Sequence, residues 1–208
     1  MSTETIISTI RHAETSFNGQ KRYAGTLDIP LNENGILQAR QAATRLSQAD
    51  FDLVVTSKLK RAYETAKILM GDSVPVIRTK LCNERDFGIM QGLTWEEVKR
   101  LNPLVLMIKV GNDLHTVNPQ RGEPFEKVWE RANAFRRLLF RKYKGRRILV
   151  VSHGVFLQLF HGVLRGSNCI ESLAKYPSNL ELARFRFVGE HLAQEDVFKI
   201  GEPRAAKW

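Results

Sequence analysis

Cysteine is scarce in this 208-residue chain. Cys82 and Cys169 are the two it has, too few and too widely separated for a disulfide framework or a zinc cluster, so reduced thiols are expected. No apolar run approaches the roughly 18 residues that a spanning helix needs. The opening Met-Ser-Thr-Glu-Thr leads straight into Ile6-Ile7, without the basic stretch and long apolar segment of a secretory signal. A cytoplasmic location without a membrane partner is expected. No repeat, low-complexity tract or linker divides the chain, which fits one domain over 1–208, large enough to bury a core without staples. No Asp/His cluster has metal-ligand spacing, so neither metal nor cofactor is expected. Acidic residues are in deficit: 22 Asp and Glu against 32 Lys and Arg leave a net charge of +10. Such an excess suggests an anionic partner, nucleic acid included. The basic residues are nonetheless scattered, from Lys58 to Arg61, Arg136 to Arg147 and Arg204 to Lys207, with no zinc finger, recognition helix or aromatic RNA-binding signature. A solvated basic surface is the simpler reading, with no specific nucleic-acid partner.

What is present is a β/α rhythm. Thr5 to Ile10 is a β-branched, apolar run that stops at Arg11-His12, the form of a buried strand delivering charged residues at its carboxyl end. A Gly- and Asn-bearing loop leads to helical spacing through Ile36, Ala39, Ala43 and Leu46. A second strand is expected over 52–57, a helix over 59–70 and a third strand over 74–77. This βαβαβ order predicts an α/β fold of three α/β/α layers around a mostly parallel sheet. The middle is less regular: a short helix over 94–101, a loop or lid over 102–122, and a long helix over 125–143 with Val128, Ala132, Phe135 and Leu139 on one face. Arg147 to Ser152 then reads as a strand ending in Ser-His-Gly, followed by a helix to about 164 and strands over 180–188 and 195–200.

Two strands thus end alike, one in Arg11-His12 and the other in Ser152-His153-Gly154. Ligand sites of open parallel sheets lie at the carboxyl ends of strands, so the two histidines are expected over one pocket, with Arg61 brought to the same rim by the second strand. These residues resemble the histidine phosphatase superfamily, in the branch containing the phosphoglycerate mutases and their small phosphatase relatives. The resemblance runs through Arg11-His12-Ala13-Glu14-Thr15 with Asn18, Leu31-Asn32-x-x-Gly35-x-x-Gln38-Ala39 and Ser57-x-x-x-Arg61-Ala62-x-x-Thr65-Ala66. It continues through Glu84-Arg85-Asp86-Phe87-Gly88-x-x-Gln91-Gly92 and Ser152-His153-Gly154-Val155. It covers nearly the whole chain and implies a phosphoglycerate mutase-like fold. The departure is Ala13, where the family usually has Gly and where a methyl tightens the phosphate loop.

The resemblance implies that His12 is a nucleophile carrying a phosphohistidine, that Arg11, Asn18, Arg61 and His153 bind the phosphoryl oxygens, and that Glu84 is the general acid and base. The chemistry agrees: phosphoryl transfer needs preorganised cations around the equatorial oxygens, and two guanidiniums offer oriented forks. Glu84 needs burial to hold a proton, with Phe87 or Trp95 as candidate neighbours. Glu14 is read as structural. A mutase has a longer insertion between the acid and the second histidine and commonly an Asn after its Gly; here that stretch is short and Val155 follows Gly154. Both features imply a phosphatase rather than a phosphoglycerate-type mutase; a basic binding module on an inactive scaffold is the remaining alternative. Residues 102–124 are expected to cap the substrate, with Lys109, His115, Asn118 and Arg121 favouring a small phosphorylated metabolite that carries a second anionic group.

Overall fold

The computed structural model describes residues 4–200, apart from 102, 103, 112 and 118. Asn118 of the expected cap and the basic tail at 204–207 therefore lie outside the described residues. In chain order the elements are β1 (Glu4–Arg11), α1 (Ser16–Gly19), α2 (Glu33–Ala43), β2 (Leu53–Ser57), α3 (Lys60–Met70), β3 (Val76–Thr79) and α4 (Trp95–Val98). Then come β4 (Met107–Val110), β5 (Asp113–Thr116), α5 (Phe125–Tyr143), β6 (Arg147–Ser152), α6 (Gly154–Arg165), α7 (Cys169–Ser172), β7 (Glu181–Val188) and β8 (His191–Lys199). Six strands form one sheet in the order β3-β2-β6-β1-β7-β8. The β3-β2-β6-β1 part is parallel, and β7 and β8 add antiparallel pairs at one edge.

The central strands are apolar on both faces because both are covered. Val55, Ile148 and Val150 point into one cluster with Val128, Phe135 and Leu139 of α5 and Phe156 and Phe160 of α6. Their neighbours Val54, Leu149 and Val151 enter a second cluster with Ala39 and Ala42 of α2 and Ala62 and Ala66 of α3. This is the three-layer α/β/α architecture. Small residues on α2 and α3 let those helices lie close to the sheet, whereas α5 and α6 fill their side with stacked and edge-on phenylalanines. Among the described residues no helix is long and apolar enough to cross a membrane.

Glu14 explains the motif around α2. Its carboxylate accepts from Asn32 Nδ2 (2.8 Å), Asn34 Nδ2 (2.8 Å) and Gln38 Nε2 (3.3 Å), while the Asn32 side chain caps the helix at Gly35 N (2.7 Å). A Cβ at Gly35 would stand 2.0 Å from the Glu14 carbonyl, so only glycine allows this approach. The carboxylate also lies near the positive end of the helix.

Three elements differ from expectation. The third strand starts at Val76 rather than at 74, after Pro75, which has no N–H for the ladder. The last strand starts at His191, four residues earlier than the apolar pattern suggests, since β8 is a polar edge strand turned back from β7 at Gly189 (φ 65). Residues 102–122 are not a plain loop: β4 and β5 form an antiparallel hairpin that turns at Gly111 (φ 62), a glycine turn of the kind short hairpins use.

Candidate active site

Sheet register assembles the site. Arg11 of β1 stands opposite Ser152 of β6, and His12 N donates to Ser152 O (2.9 Å), so His12 and His153 leave adjacent parallel strands side by side. Their ring centroids are 5.2 Å apart. From the end of β2, α3 begins at Lys60 and sends Arg61 inward from its first turn. Four residues on, Thr65 lies on the same helix face, where its Oγ1 accepts from Ala13 N (3.1 Å). The Ala13 methyl is buried in the apolar cluster with Ile10 and Leu31, so the extra carbon of this departure is housed in the core rather than pushed against the pocket.

His12 is held by backbone. Its Nδ1 lies 2.7 Å from the Ala13 carbonyl. A carbonyl only accepts, so Nδ1 carries the hydrogen and Nε2 keeps its lone pair in the neutral ring. That Nε2 accepts from Arg61 Nε at 3.3 Å. The imidazole stays neutral far into acid: burial, then Arg61 and Arg11, push its pKa well below the usual histidine value, opposed by the Ala13 carbonyl. Burial and the same arginines lower His153 likewise, and its Nε2 shares a 2.6 Å hydrogen bond with Ser57 Oγ. Arg61 is fully buried and donates also to Leu27 O (2.8 Å) and Gly25 O (2.7 Å). Burial lowers its pKa to about 10, leaving the guanidinium charged at neutral pH. Among the described residues, two buried nitrogens beside His12 have no hydrogen-bond partner: Arg11 Nε and His153 Nδ1.

Glu84 is buried, but its carboxylate is solvated by main chain rather than packed as an apolar pocket would pack it. Oε1 accepts from Arg85 N (2.8 Å) and Phe156 N (3.1 Å), and Oε2 from Val155 N (3.2 Å). The last two are first-turn amides of α6 that no intrahelical carbonyl reaches. Phe87 and Trp95 line the same cavity. Arg85 is not an ion-pair partner exposed to solvent. It is fully buried, donates to Thr116 O (2.8 Å), Val117 O (2.9 Å) and Glu123 O (2.7 Å), and lies 3.8 Å over the Phe125 ring. It thereby ties the β4-β5 hairpin to the residue next to Glu84.

The cavity, about 300 Å³, is lined by Arg11, His12, Asn18, Arg61 and Glu84 at one end, and by Tyr23, Phe87, Trp95, Leu114, Phe125 and Tyr176 elsewhere. His153 does not line it; its ring packs beside that of His12. The Asn18 oxygen is committed to Thr15 N (3.0 Å) and Thr15 Oγ1 (2.9 Å) in a capping box, leaving its amide nitrogen as the end available to an anion. Of the basic and polar residues expected from 102–124, His115 lines the cavity, together with Leu114 and Thr116; Lys109 and Arg121 do not. The outer cations come instead from Lys21 and Arg22. Arg22 pairs with Glu97 (2.8 Å), whereas among the described residues no carboxylate lies within ion-pair distance of Lys21. Motif reading had no signal for Lys21 or for Tyr176 and Asn179, which stand on loops without periodicity. Thr65 had one, its i+4 spacing from Arg61. Among the described residues no group of three or more His, Cys, Asp or Glu side chains is placed to hold a metal ion.

Two histidines at adjacent parallel strand ends, with Arg11 and Arg61 beside a cavity the size of a small metabolite, make up the candidate site. The sequence matches the family model of the histidine phosphatase superfamily (branch 1) over residues 7–194, and the chain belongs to that superfamily. It is 36% identical over 151 residues to phosphoglycerate mutase-like protein 4 of Arabidopsis thaliana, covering 71% of this chain and 66% of that one, just under two thirds of its length. It is 34% identical over 158 residues to phosphoserine phosphatase 1 of Hydrogenobacter thermophilus, covering 76% and 74%. The fold superposes on the crystal structure of the alpha-ribazole phosphatase from Shigella flexneri with a TM-score of 0.78 at 27% identity, covering 90% of this chain and 93% of that one.

Proposed function

We propose that this chain hydrolyses a small anionic phosphate monoester through a phosphohistidine on His12. The observation that carries the reading is the state of His12: Nδ1 is locked on the Ala13 carbonyl, and Nε2 keeps a lone pair beside the buried Arg61. In the first half-reaction Nε2 attacks phosphorus, the ester P–O bond breaks, and the leaving alkoxide takes the Glu84 proton. In the second, water attacks the phosphohistidine and returns a proton to the Glu84 carboxylate, releasing phosphate and neutral His12. Arg11 Nε, Arg61 and the Asn18 amide supply contacts for the three oxygens, where preorganised charge counts most, while His153 packs beside the His12 ring.

The substrate reading follows the cavity. Its volume suits a metabolite rather than a protein surface. Residues 102–124 cap the substrate through Leu114, His115 and Thr116, while Lys21 meets a second anionic group such as a carboxylate. A phosphoamino acid, a phosphoglycerate-like acid, a phosphorylated sugar and a nucleotide-like ester all fit that description, and a relative named for phosphoserine favours the first. The basic surface outside the cavity gives only weak, salt-sensitive association with nucleic acid.

The test is phosphate release from a panel of these esters and an aryl phosphate, with rapid-quench trapping of the acid-labile phosphoenzyme. Turnover with a label on the wild type and none on a folded His12→Ala variant is the expected result. Undiminished turnover by His12→Ala would overturn the mechanism.

A further inference from the structure

We propose that Tyr176 is a positioning residue for phosphate binding, acting through Arg11; the inference rests on the reading of the cavity as a phosphate site. The connection between α7 and β7 is pinned to the end of β1. Leu180 N donates to Arg11 O (3.0 Å), Asn179 Nδ2 to His12 O (2.5 Å), and Arg11 itself to Pro177 O (3.0 Å). On that loop the Tyr176 ring lies 4.9 Å from the Arg11 guanidinium carbon and lines the cavity.

Arg11 is thus oriented by an aromatic face and one carbonyl, and among the described residues no carboxylate bonds to it. The difference matters for chemistry. An acid partner would neutralise the charge that a phosphoryl group must feel, whereas a ring fixes the plane of the fork and leaves its charge to the ligand. Arg11 Nε, buried and without a partner among the described residues, is the donor this arrangement keeps for the anion. Position 154 seats the ring. A Cβ there would stand 1.9 Å from the Tyr176 hydroxyl, so the tyrosine rests against the first residue of α6 because that residue is glycine. Tyr176 therefore spans from Arg11 to the helix start whose next amides hold Glu84.

The test uses inorganic phosphate and vanadate, which have no alcohol part to touch a cavity wall. Each is measured as an inhibitor of aryl phosphate hydrolysis, and phosphate also by direct calorimetric titration. Tyr176 is 40% exposed, so its variants are expected to fold. Tyr176→Leu should weaken both anions roughly three- to thirty-fold, the range of a cation–π contact, while Tyr176→Phe, which keeps the ring, should stay within about two-fold. Gly154→Ala should reproduce the loss with the tyrosine still present, by forcing it outward. In an Arg11→Ala background, which removes the cation, Tyr176→Leu should add almost nothing. Unchanged phosphate affinity in Tyr176→Leu, with KM raised only for bulky esters, would make the residue a wall for the leaving group and overturn the proposal. Additive losses with Arg11→Ala would overturn it equally. A wild type that binds phosphate but hydrolyses no ester would overturn the hydrolase reading alone, because the calorimetric arm still decides about Tyr176.

Discussion

Replacing Glu84 by Gln separates what this side chain does for the fold from what it does for the reaction. In the structure three main-chain N–H groups, of Arg85, Val155 and Phe156, converge on its two oxygens. A glutamine oxygen can keep the two donors that meet at Oε1. Its NH2 group then faces the Val155 N–H, and one buried donor at the start of α6 loses its acceptor, a cost of about 1–3 kcal/mol in stability. That loss is independent of substrate and is read by urea denaturation. The catalytic loss is not independent of substrate. An alkyl alkoxide cannot leave without a proton, so kcat/KM for an alkyl monoester should fall by about 10²–10⁴, the usual weight of a positioned acid, whereas a dinitrophenolate needs no proton and should be nearly spared. kcat/KM reports events up to formation of the phosphohistidine, so the water-activating role of Glu84 in the second half-reaction does not blur the comparison. A plot of log kcat/KM against leaving-group pKa should be markedly steeper for Glu84→Gln than for wild type. Parallel lines would show that the proton comes from elsewhere and that Glu84 only anchors α6.

Aryl phosphate turnover should survive excess chelator, since Arg11 and Arg61 supply the charge at the phosphoryl oxygens; loss of activity restored by a divalent ion would refute this. Lys21→Gln should raise KM for a carboxylate-bearing ester about two- to five-fold, the weight of an exposed ion pair, and leave a simple aryl phosphate unchanged; equal effects on both would remove the second-anion role. Buried His161, bonded to Thr9 Oγ1 (2.7 Å), has its pKa lowered to about 3, chiefly by burial and then by Arg165. A histidine depressed on folding takes its proton in the unfolded chain first, so stability is complete above about pH 6.5 and is lost as pH falls towards the folded value. At pH 5 the share of His161 in the loss is about 2 kcal/mol, and urea titrations from pH 7 to pH 5 should show a fall in stability smaller by that amount in His161→Gln than in wild type, the remainder coming from groups such as buried His12 and His153. Vanadate should inhibit turnover at concentrations that leave nucleic-acid association untouched, and that association should vanish with salt; selective nucleic-acid binding abolished by Arg11→Ala would refute the small-molecule reading.

The elements legible in the sequence were those whose burial leaves one unmistakable pattern. Arg147–Ser152 is apolar along its length because both faces of the central sheet are covered, and Phe125–Tyr143 repeats its apolar residues at three and four because one face meets the core. The hairpin strands over 107–110 and 113–116 and the first four residues of the strand His191–Lys199 escaped for the opposite reason. Each has an exposed side or edge, so polar residues fill positions that alternation would otherwise mark, and the glycines at 111 and 189 were the sole local signs of their turns.

The site divides along a different line. Arg11, His12, Arg61 and His153 stand at strand ends or a first helical turn, where side-chain type and position together suggest their use, whereas Glu84 lies on an irregular stretch after β3 and is reached through the resemblance alone. The groups that set their state are mostly main chain: the Ala13 carbonyl that fixes the His12 tautomer, the Gly25 and Leu27 carbonyls that hold Arg61, and the α6 amides that receive Glu84. A carbonyl or an N–H has the same identity at every position, so no residue code records that it has been recruited. The phosphate loop can carry Ala13 for the same reason: what this position supplies to His12 is its carbonyl and to Thr65 its N–H, and neither changes when a methyl is added on the side facing Ile10 and Leu31.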